Sequence, residues 1–266
     1  MTTTTEKSLV RYTTTEGVAV IELTNPPANT YSYEMMRQLD EAILQARFDD
    51  DVHVIVMRGE GEKFFCAGAE ISMLNAVTPG FKYYFCLHAN ETLTRLEQTP
   101  KLVIAALSGH TVGGGLEIAL ACDIRIARRN AGKVGLPEIT LGVLPGTGGT
   151  QRMARALPKN KAIELMTEGK LMSFEEAQGL GLINYIYEQE NYWEKVIEYA
   201  RGFCPPNRAS KTVGRIKRAV QSGSEVAFSE ALAIERELQQ LCFQSEDAKE
   251  GIAAYAEKRK GNFAGR

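Results

Sequence analysis

Several kinds of chemistry are missing from this 266-residue chain. Its five cysteines (Cys66, Cys86, Cys122, Cys204 and Cys242) are scattered, with no CxxC pair and none adjacent to a histidine. Neither a zinc site nor a disulfide framework is suggested, and a reducing compartment fits best. The three histidines, His53, His88 and His110, lie far apart and no Gly-x-Ser-x-Gly turn occurs, so a serine-hydrolase triad has little support. No stretch approaches the ~18 continuous apolar residues that span a bilayer. Residues 1–8 carry neither the apolar segment of a secretory signal nor the repeated arginines of an organelle-targeting peptide, so the expected location is cytoplasmic. A formal net charge of -2 gives no global attraction to nucleic acid. Compositional bias is absent too: 44% hydrophobic and 24% charged residues describe an ordinary globular chain rather than a disordered one.

What is present is alternation. Residues 18–23 are rich in β-branched and aliphatic side chains and close on Asn25-Pro26-Pro27, which predicts a strand ended by a turn. Met35, Met36, Leu39, Ile43 and Leu44 then recur at helical spacing. Residues 52–57 and 101–107 predict buried strands, and 123–127 a further short one. Residues 64–71 predict a turn centred on glycine, followed by a looser helix from about 81 to 96. Such an order predicts an α/β layer architecture with mostly parallel strands. Past Leu136 the pattern becomes helical: 159–168, a capping-box start at Ser173 with Glu176, then 192–203, 208–221, 224–240 and 245–258. The expected organisation is a core domain over 1–200 holding the site and a helical region over 201–266.

The candidate chemistry centres on Gly113, Gly114 and Gly115, between a strand-like run and a helix-like run, with Glu117 two residues on. Three glycines let the backbone approach a ligand with no Cβ in the way, and a helix starting there presents unpaired N–H groups. Flexible turns and close helix packing use the same composition, so the run needs a partner. Ala67-Gly68-Ala69 supplies one, at the end of another strand-like run. If the strands are parallel, both turns lie at the carboxyl edge of the sheet, where ligands of open α/β sheets bind. One N–H from each could hold a single oxyanion. Glu117, in the first turn of its helix, is expected to be favoured as the anion by the dipole and suited to act as a base. Glu138, after Pro137, sits in a loop from which a polar side chain can reach a pocket. Alone, each glutamate reads as a surface carboxylate.

Other patterns read more blandly. The glycine-rich loop 145–149 has no following Lys-Ser or Lys-Thr, and Gln151 replaces the last glycine of a dinucleotide fingerprint, so a structural turn and helix start is expected. His110, beside a glycine turn, reads as a residue packed beneath it. Arg208, Lys211, Arg215, Lys217 and Arg218 on one predicted helix, and 258–260 near the end, read as solvated faces. RNA binding is the alternative for these charges, with no interleaved aromatic residues to support it.

Taken together, these residues resemble the crotonase superfamily, and within it the enoyl-CoA hydratases. The most specific stretches are FCAGAEI at 65–71, GGGLEIALACDIRIA at 113–127 and LPEITLGVLPGTGGTQR at 136–152, and the similarity runs from 18–27 to 257–263. The resemblance implies a core of stacked ββα turns and a helical C-terminal region that mediates a homotrimer, commonly a dimer of trimers. It implies that the N–H groups of Ala69 and Gly114 form an oxyanion hole, and that Glu117 and Glu138 are the two catalytic glutamates. Ala67, Gly68, Glu70, Ile71 and Ser72 would line the CoA site, with a C-terminal lysine holding its phosphate. The implied substrate is an acyl-CoA thioester, of which CoA is a part, with no metal or redox cofactor. The implied activity is reversible syn hydration of a trans-2-enoyl-CoA, as in fatty-acid β-oxidation. An enoyl-CoA isomerase, which often keeps only the carboxylate matching Glu138, and a branched-chain hydratase of the methylglutaconyl type are the alternatives. An RNA-binding protein on the same scaffold is the alternative from another class. Glu70 stands where an Asp is usual, Ser108-Gly109-His110 replaces an Asn-Gly, and 28–33 departs from the usual Asn-Ala-Leu-Ser, a change expected to alter the acyl pocket. Phe81 to Phe85 are candidates for its wall.

Overall fold

The computed structural model describes residues 7–266, so the reading of the N-terminus as free of a targeting signal falls, for residues 1–6, outside the described residues. Strands β1 (Val10–Thr15) and β2 (Val18–Leu23) form a hairpin that turns through Glu16 and Gly17, both at positive φ. Helix α1 (Tyr33–Phe48) follows, capped by the Ser32 hydroxyl, which accepts the Met35 N–H. The chain then repeats one unit. Strand β3 (Val54–Gly59) leads to β4 (Phe64–Cys66) and helices α2 (Ile71–Ala76) and α3 (Pro79–Glu97). Strand β5 (Leu102–Leu107) leads to β6 (His110–Val112) and α4 (Gly114–Leu120). Strand β7 (Ile124–Arg128) leads to β8 (Lys133–Gly135), the 3-10 helix Glu138–Leu141, α5 (Gly149–Ala156) and α6 (Lys159–Glu168). These are stacked ββα turns. Strand β9 (Met172–Ser173), helix α7 (Phe174–Gly179), strand β10 (Tyr185–Tyr187) and α8 (Tyr192–Arg201) complete the core. Helices α9 (Ser210–Gly223), α10 (Phe228–Phe243) and α11 (Glu246–Ala256) form the C-terminal region.

Each ββα turn gives its first strand to one sheet and its second strand to another. The large sheet has the order β1-β2-β3-β5-β7-β10, parallel except for the first pair, and the small one β4-β6-β8-β9, parallel except for the last pair. The expected α/β class is therefore present, with a second sheet that the hydrophobic pattern did not announce. Strand β5 explains why the large sheet was visible: all six of its residues are buried. Val103, Ala105 and Leu107 pack into the main core, while Leu102, Ile104 and Ala106 face Val196 and Ala200 of α8. The segment expected to be a glycine turn over 64–71 is instead a short strand, an extended stretch bridged to Tyr31, and the start of α2. All five cysteines are free. Among the described residues no helix is long and apolar enough to cross a membrane.

Candidate active site

Strands β4 and β6 run parallel in the small sheet, so the turns that follow Cys66 and Val112 emerge side by side at its carboxyl end. The two glycine turns thus lie at the carboxyl ends of parallel strands, as expected, but these strands belong to the small sheet rather than to the long apolar runs. The backbones touch. Gly68 has φ +92°, and a Cβ there would stand 3.1 Å from the Gly114 nitrogen and 3.3 Å from the Val112 oxygen. Only glycine meets both the conformation and the approach. Tyr31 pairs with Ala69 as an isolated bridge: the Tyr31 N–H donates to the Gly68 carbonyl at 2.9 Å, and the Glu70 N–H donates to the Tyr31 carbonyl at 3.0 Å. Alternate amides of an extended chain face opposite ways, so the Ala69 N–H points away from Tyr31. Among the described residues, neither it nor the Gly114 N–H donates to a protein acceptor. Two adjacent free amides are the raw material of an anion-stabilising site.

Glu117 is 2% exposed. Its Oε1 accepts the N–H groups of Thr147 and Gly149, both at 2.7 Å. The loop 145–149, expected to be only a structural turn and helix start, does start α5, and it also cradles this carboxylate. A Cβ on Gly149 would stand 2.9 Å from Glu117 Oε1 and 2.8 Å from the Pro145 Cβ, so the cradle closes only around glycine. Arg152 braces the loop from outside: Nη2 pairs with Glu97 at 2.9 Å and Nη1 donates to the Thr147 carbonyl at 3.3 Å. The helix dipole was expected to favour the Glu117 anion, and burial works against it. Burial pushes its carboxyl above the ordinary value, and the two loop amides, the Thr147 hydroxyl and Arg152 only partly oppose that.

Glu138 opens the 3-10 helix after β8 rather than sitting in an irregular loop. It is half-buried, its Oε2 is enclosed without a partner, and its Oε1 lies 3.0 Å from where a Cβ on Gly113 would be. Burial pushes its carboxyl up to about 7; the charge of Glu117 adds to that, against its own amide and Lys82. Two glutamates with unlike environments therefore share one space beside the two free amides, the arrangement that separates an acid from a base.

The other expected residues are placed as follows. Ala67 and Glu70 are half-buried, Gly68 is buried, and Ile71 and Ser72 are exposed at the start of α2; the Ser72 hydroxyl donates to Glu70 at 2.6 Å. Phe85 is buried, with Phe81 stacked on it at 6.4 Å and Tyr33 edge-on to Phe81 at 6.2 Å, so α3 contributes an aromatic wall. His110 is occupied structurally: its Nδ1 accepts the Lys133 N–H at 3.2 Å and its ring packs 5.2 Å from Phe64. The basic helix is not one solvated face. Lys217 is buried against Asp123 at 2.8 Å and Arg215 donates to the Leu241 carbonyl, which leaves Arg208, Lys211 and Arg218 exposed. One of the five charges invoked for RNA is thus spent inside the protein. Sequence reasoning missed Tyr31, Thr147 and Gly149. Among the described residues, no group of three or more His, Cys, Asp or Glu is placed to hold a metal ion.

Comparison with known proteins agrees with this geometry. The enoyl-CoA hydratase/isomerase family profile matches residues 13–266. A probable enoyl-CoA hydratase of Bacillus subtilis (strain 168) is 38% identical over 251 residues, covering 93% of this chain and 95% of the relative. A short-chain-enoyl-CoA hydratase of Clostridium acetobutylicum is 36% identical over 244 residues, covering 91% and 92%. A crystal structure of an enoyl-CoA hydratase from Geobacillus kaustophilus HTA426 superposes with a TM-score of 0.95 at 43% identity, covering 98% of each chain.

Proposed function

The chain belongs to the enoyl-CoA hydratase/isomerase family, and on that premise we propose that it hydrates a trans-2-enoyl-CoA reversibly to the 3-hydroxyacyl-CoA. The observation that carries this reading is the pair of unlike glutamates beside two free amides. The thioester oxygen would sit between the N–H groups of Ala69 and Gly114, which stabilise the negative charge that reaches it as water adds at C3. Glu117, with Oε1 held by Thr147 and Gly149, has its other oxygen left to orient the water and take its proton. Glu138, pushed up to about 7 and with Oε2 unpartnered, retains a proton to deliver to C2. Atoms balance: hydroxide from the water adds at C3 and the Glu138 proton at C2, the proton taken by Glu117 is returned to Glu138 through solvent before the next turnover, and nothing is oxidised. The proposed reaction accordingly needs no metal or redox cofactor, and CoA enters as part of the substrate, along Ala67 to Ser72. Isomerisation would call on Glu138 alone, whereas this site holds a second carboxylate in a cradle built for it.

A homotrimer or dimer of trimers belongs to the same proposal, supported by α10, whose sixteen residues include none that is buried within the chain. A cytoplasmic location does too, supported by five free thiols.

The test is the loss of crotonyl-CoA absorbance at its conjugated-enone band. Glu117→Gln and Glu138→Gln are each expected to lower kcat by roughly 10²- to 10⁴-fold, with KM changed only a few-fold. Full activity in Glu117→Gln sinks the two-glutamate hydratase mechanism.

A further inference from the structure

Ala69, whose N–H is one of the two donors proposed for the thioester oxygen, lies outside every regular strand and helix. A donor helps an oxyanion only when it is held within about 0.5 Å of the productive geometry. The chain that holds it is 28–31. The Ala67 N–H donates to the Ala28 carbonyl at 3.0 Å, the Tyr31 N–H to the Gly68 carbonyl at 2.9 Å and the Glu70 N–H to the Tyr31 carbonyl at 3.0 Å. Residues 28–31 are thus laid as a parallel strap along the chain just past β4. Segment 28–33 was expected to shape the acyl pocket. Tyr33 stands against Phe81 of the aromatic wall, whereas 28–31 is spent on the backbone of the site.

The strap is fixed by Asn29, which is 0% exposed. Its Nδ2 donates to the Glu60 carbonyl at 3.0 Å and to the Phe64 carbonyl at 3.1 Å, and its Oδ1 accepts the Asn25 N–H at 3.2 Å. Both amide hydrogens and the amide oxygen are used. A reversed amide would set its oxygen against two carbonyls, so one orientation alone fits. The amide fills space that Gly59 leaves open, where a Cβ would stand 2.7 Å from Nδ2. At φ +49° the backbone of Asn29 is left-handed, a conformation that asparagine tolerates better than most residues with a side chain. Asn29 therefore grips the chain that enters β4, and the backbone of 28–31 grips the chain that leaves it. Asn25 secures the strap further on, its Nδ2 donating to the Thr30 carbonyl at 2.8 Å.

We propose that Asn29 is a positioning residue for the oxyanion hole: by tying the strap to both ends of the 60–64 connection, it sets where the Ala69 N–H points. This rests on the hydratase reading for the role of Ala69. It goes beyond that reading by giving the hole a support that bonds to neither glutamate.

Asn29→Gly removes the side chain and keeps a left-handed backbone without strain; Asn25→Ala loosens the strap at its other bond and leaves the Asn29 amide in place. The first readout is kcat and KM for crotonyl-CoA, per folded molecule. The second is the infrared stretch of bound butyryl-CoA carrying carbon-13 at the thioester carbonyl, a frequency that falls as donors close on the oxygen. The third is deuterium exchange of peptides spanning 67–70 in ligand-free protein. In Asn29→Gly we expect kcat lower by roughly 10- to 100-fold, KM within about threefold of wild type, and less than about half of the wild-type carbonyl downshift. Exchange over 67–70 is expected to be faster by about tenfold or more, with α8 unchanged. Asn25→Ala is expected to move each readout the same way by less. A residue that only stabilises the fold would lower the unfolding midpoint and leave the carbonyl of the folded complex where it was. A wild-type downshift in Asn29→Gly, or exchange over 67–70 no faster than in wild type, overturns the proposal. If Asn29→Gly does not fold, an unmoved downshift in Asn25→Ala overturns it equally. Butyryl-CoA has no double bond to hydrate. A wild type that shifts its carbonyl yet fails on crotonyl-CoA therefore defeats the hydratase reading alone, while the dependence of the shift on Asn29 is still measured. A wild type that binds it with no shift defeats both.

Discussion

Glu138 is a carboxyl whose favoured state in the folded protein is the acid, and this has a consequence for stability as well as for proton delivery. Its proton is held up to about 7, against an ordinary value of 4.5, because burial penalises the anion and Oε2 finds no donor. Between those two values the folded chain binds a proton that the unfolded chain has released. Its contribution to stability is therefore fully present below about pH 4.5 and is lost as pH rises through about 7. Glu138→Gln keeps the shape and cannot ionise. Its stability relative to wild type is expected to rise with pH, by about 1–2 kcal/mol between pH 4.5 and 8.5 once solvent screening of a half-buried group is allowed for. Urea unfolding at the two pH values measures this; a difference that does not change with pH means the carboxyl is solvated and titrates normally. Glu117 behaves differently, since its buried anion has amide donors and Glu138 has none on Oε2. This asymmetry was only half legible in the sequence. Two glutamates beside glycine turns could be picked out, because glycine is required where backbones meet, as at Gly68 and Gly115. The donors that tell the glutamates apart are main-chain N–H groups of Thr147 and Gly149, which have no side-chain signature. Tyr31 read only as part of the 28–33 segment, whose departure was expected to alter the acyl pocket.

Helix α9 meets the core through a close backbone approach and a buried ion pair, beside the apolar packing of Val213. A Cβ on Gly214 would collide with the Pro100 carbonyl, so the helix lies directly on that turn. One turn further on, Lys217 Nζ pairs with Asp123 at 2.8 Å and donates to the Lys101 carbonyl at 3.1 Å. Asp123 also accepts the Val103 N–H at 2.8 Å and the Gln221 amide at 3.1 Å. Burial pushes the Asp123 carboxyl up while Lys217 pulls it back, so removing the lysine leaves a buried charge that has lost its ion-pair partner and keeps only neutral hydrogen-bond donors and the field of Arg125. Lys217→Met is expected to cost roughly 3–5 kcal/mol in unfolding free energy, and Lys217→Met/Asp123→Asn to recover much of it. Chemical denaturation checks both; a loss under 1 kcal/mol in the single variant means that water reaches the pair. The same helix marks a limit of pattern reading. Its extent was found within two residues, from its apolar spacing, but which of five basic residues turns inward depends on an aspartate at the start of β7. Strands show the limit from the other side. β2, β3 and β5 were visible because burial on two faces makes them continuous apolar runs. β4, β6 and β8, with three residues each, are too short to show a period, and it is these strands that bring the site together.

The whole molecule ends in a helical region that leaves an apolar face uncovered. α10 packs along α9, yet Phe228 is 79% and Phe243 65% exposed, and on α11 Tyr255 is 88% and Ile252 57% exposed. Large apolar side chains scattered singly need no explanation, whereas four on consecutive helices support the proposed association. A formal net charge of -2 opposes that association little. In the homotrimer proposed above, two further copies of this chain would cover these side chains. Because Phe228 and Phe243 bury little within the chain, Phe228→Asp/Phe243→Asp is expected to leave its circular dichroism unchanged. Association is expected to fail. Light scattering after gel filtration should give a trimer, or twice that, for the wild type, and a monomer for the double variant. A wild-type protein that elutes as a monomer, or a double variant that keeps its assembly, shows that α10 is not the contact and that the apolar face belongs to some other partner.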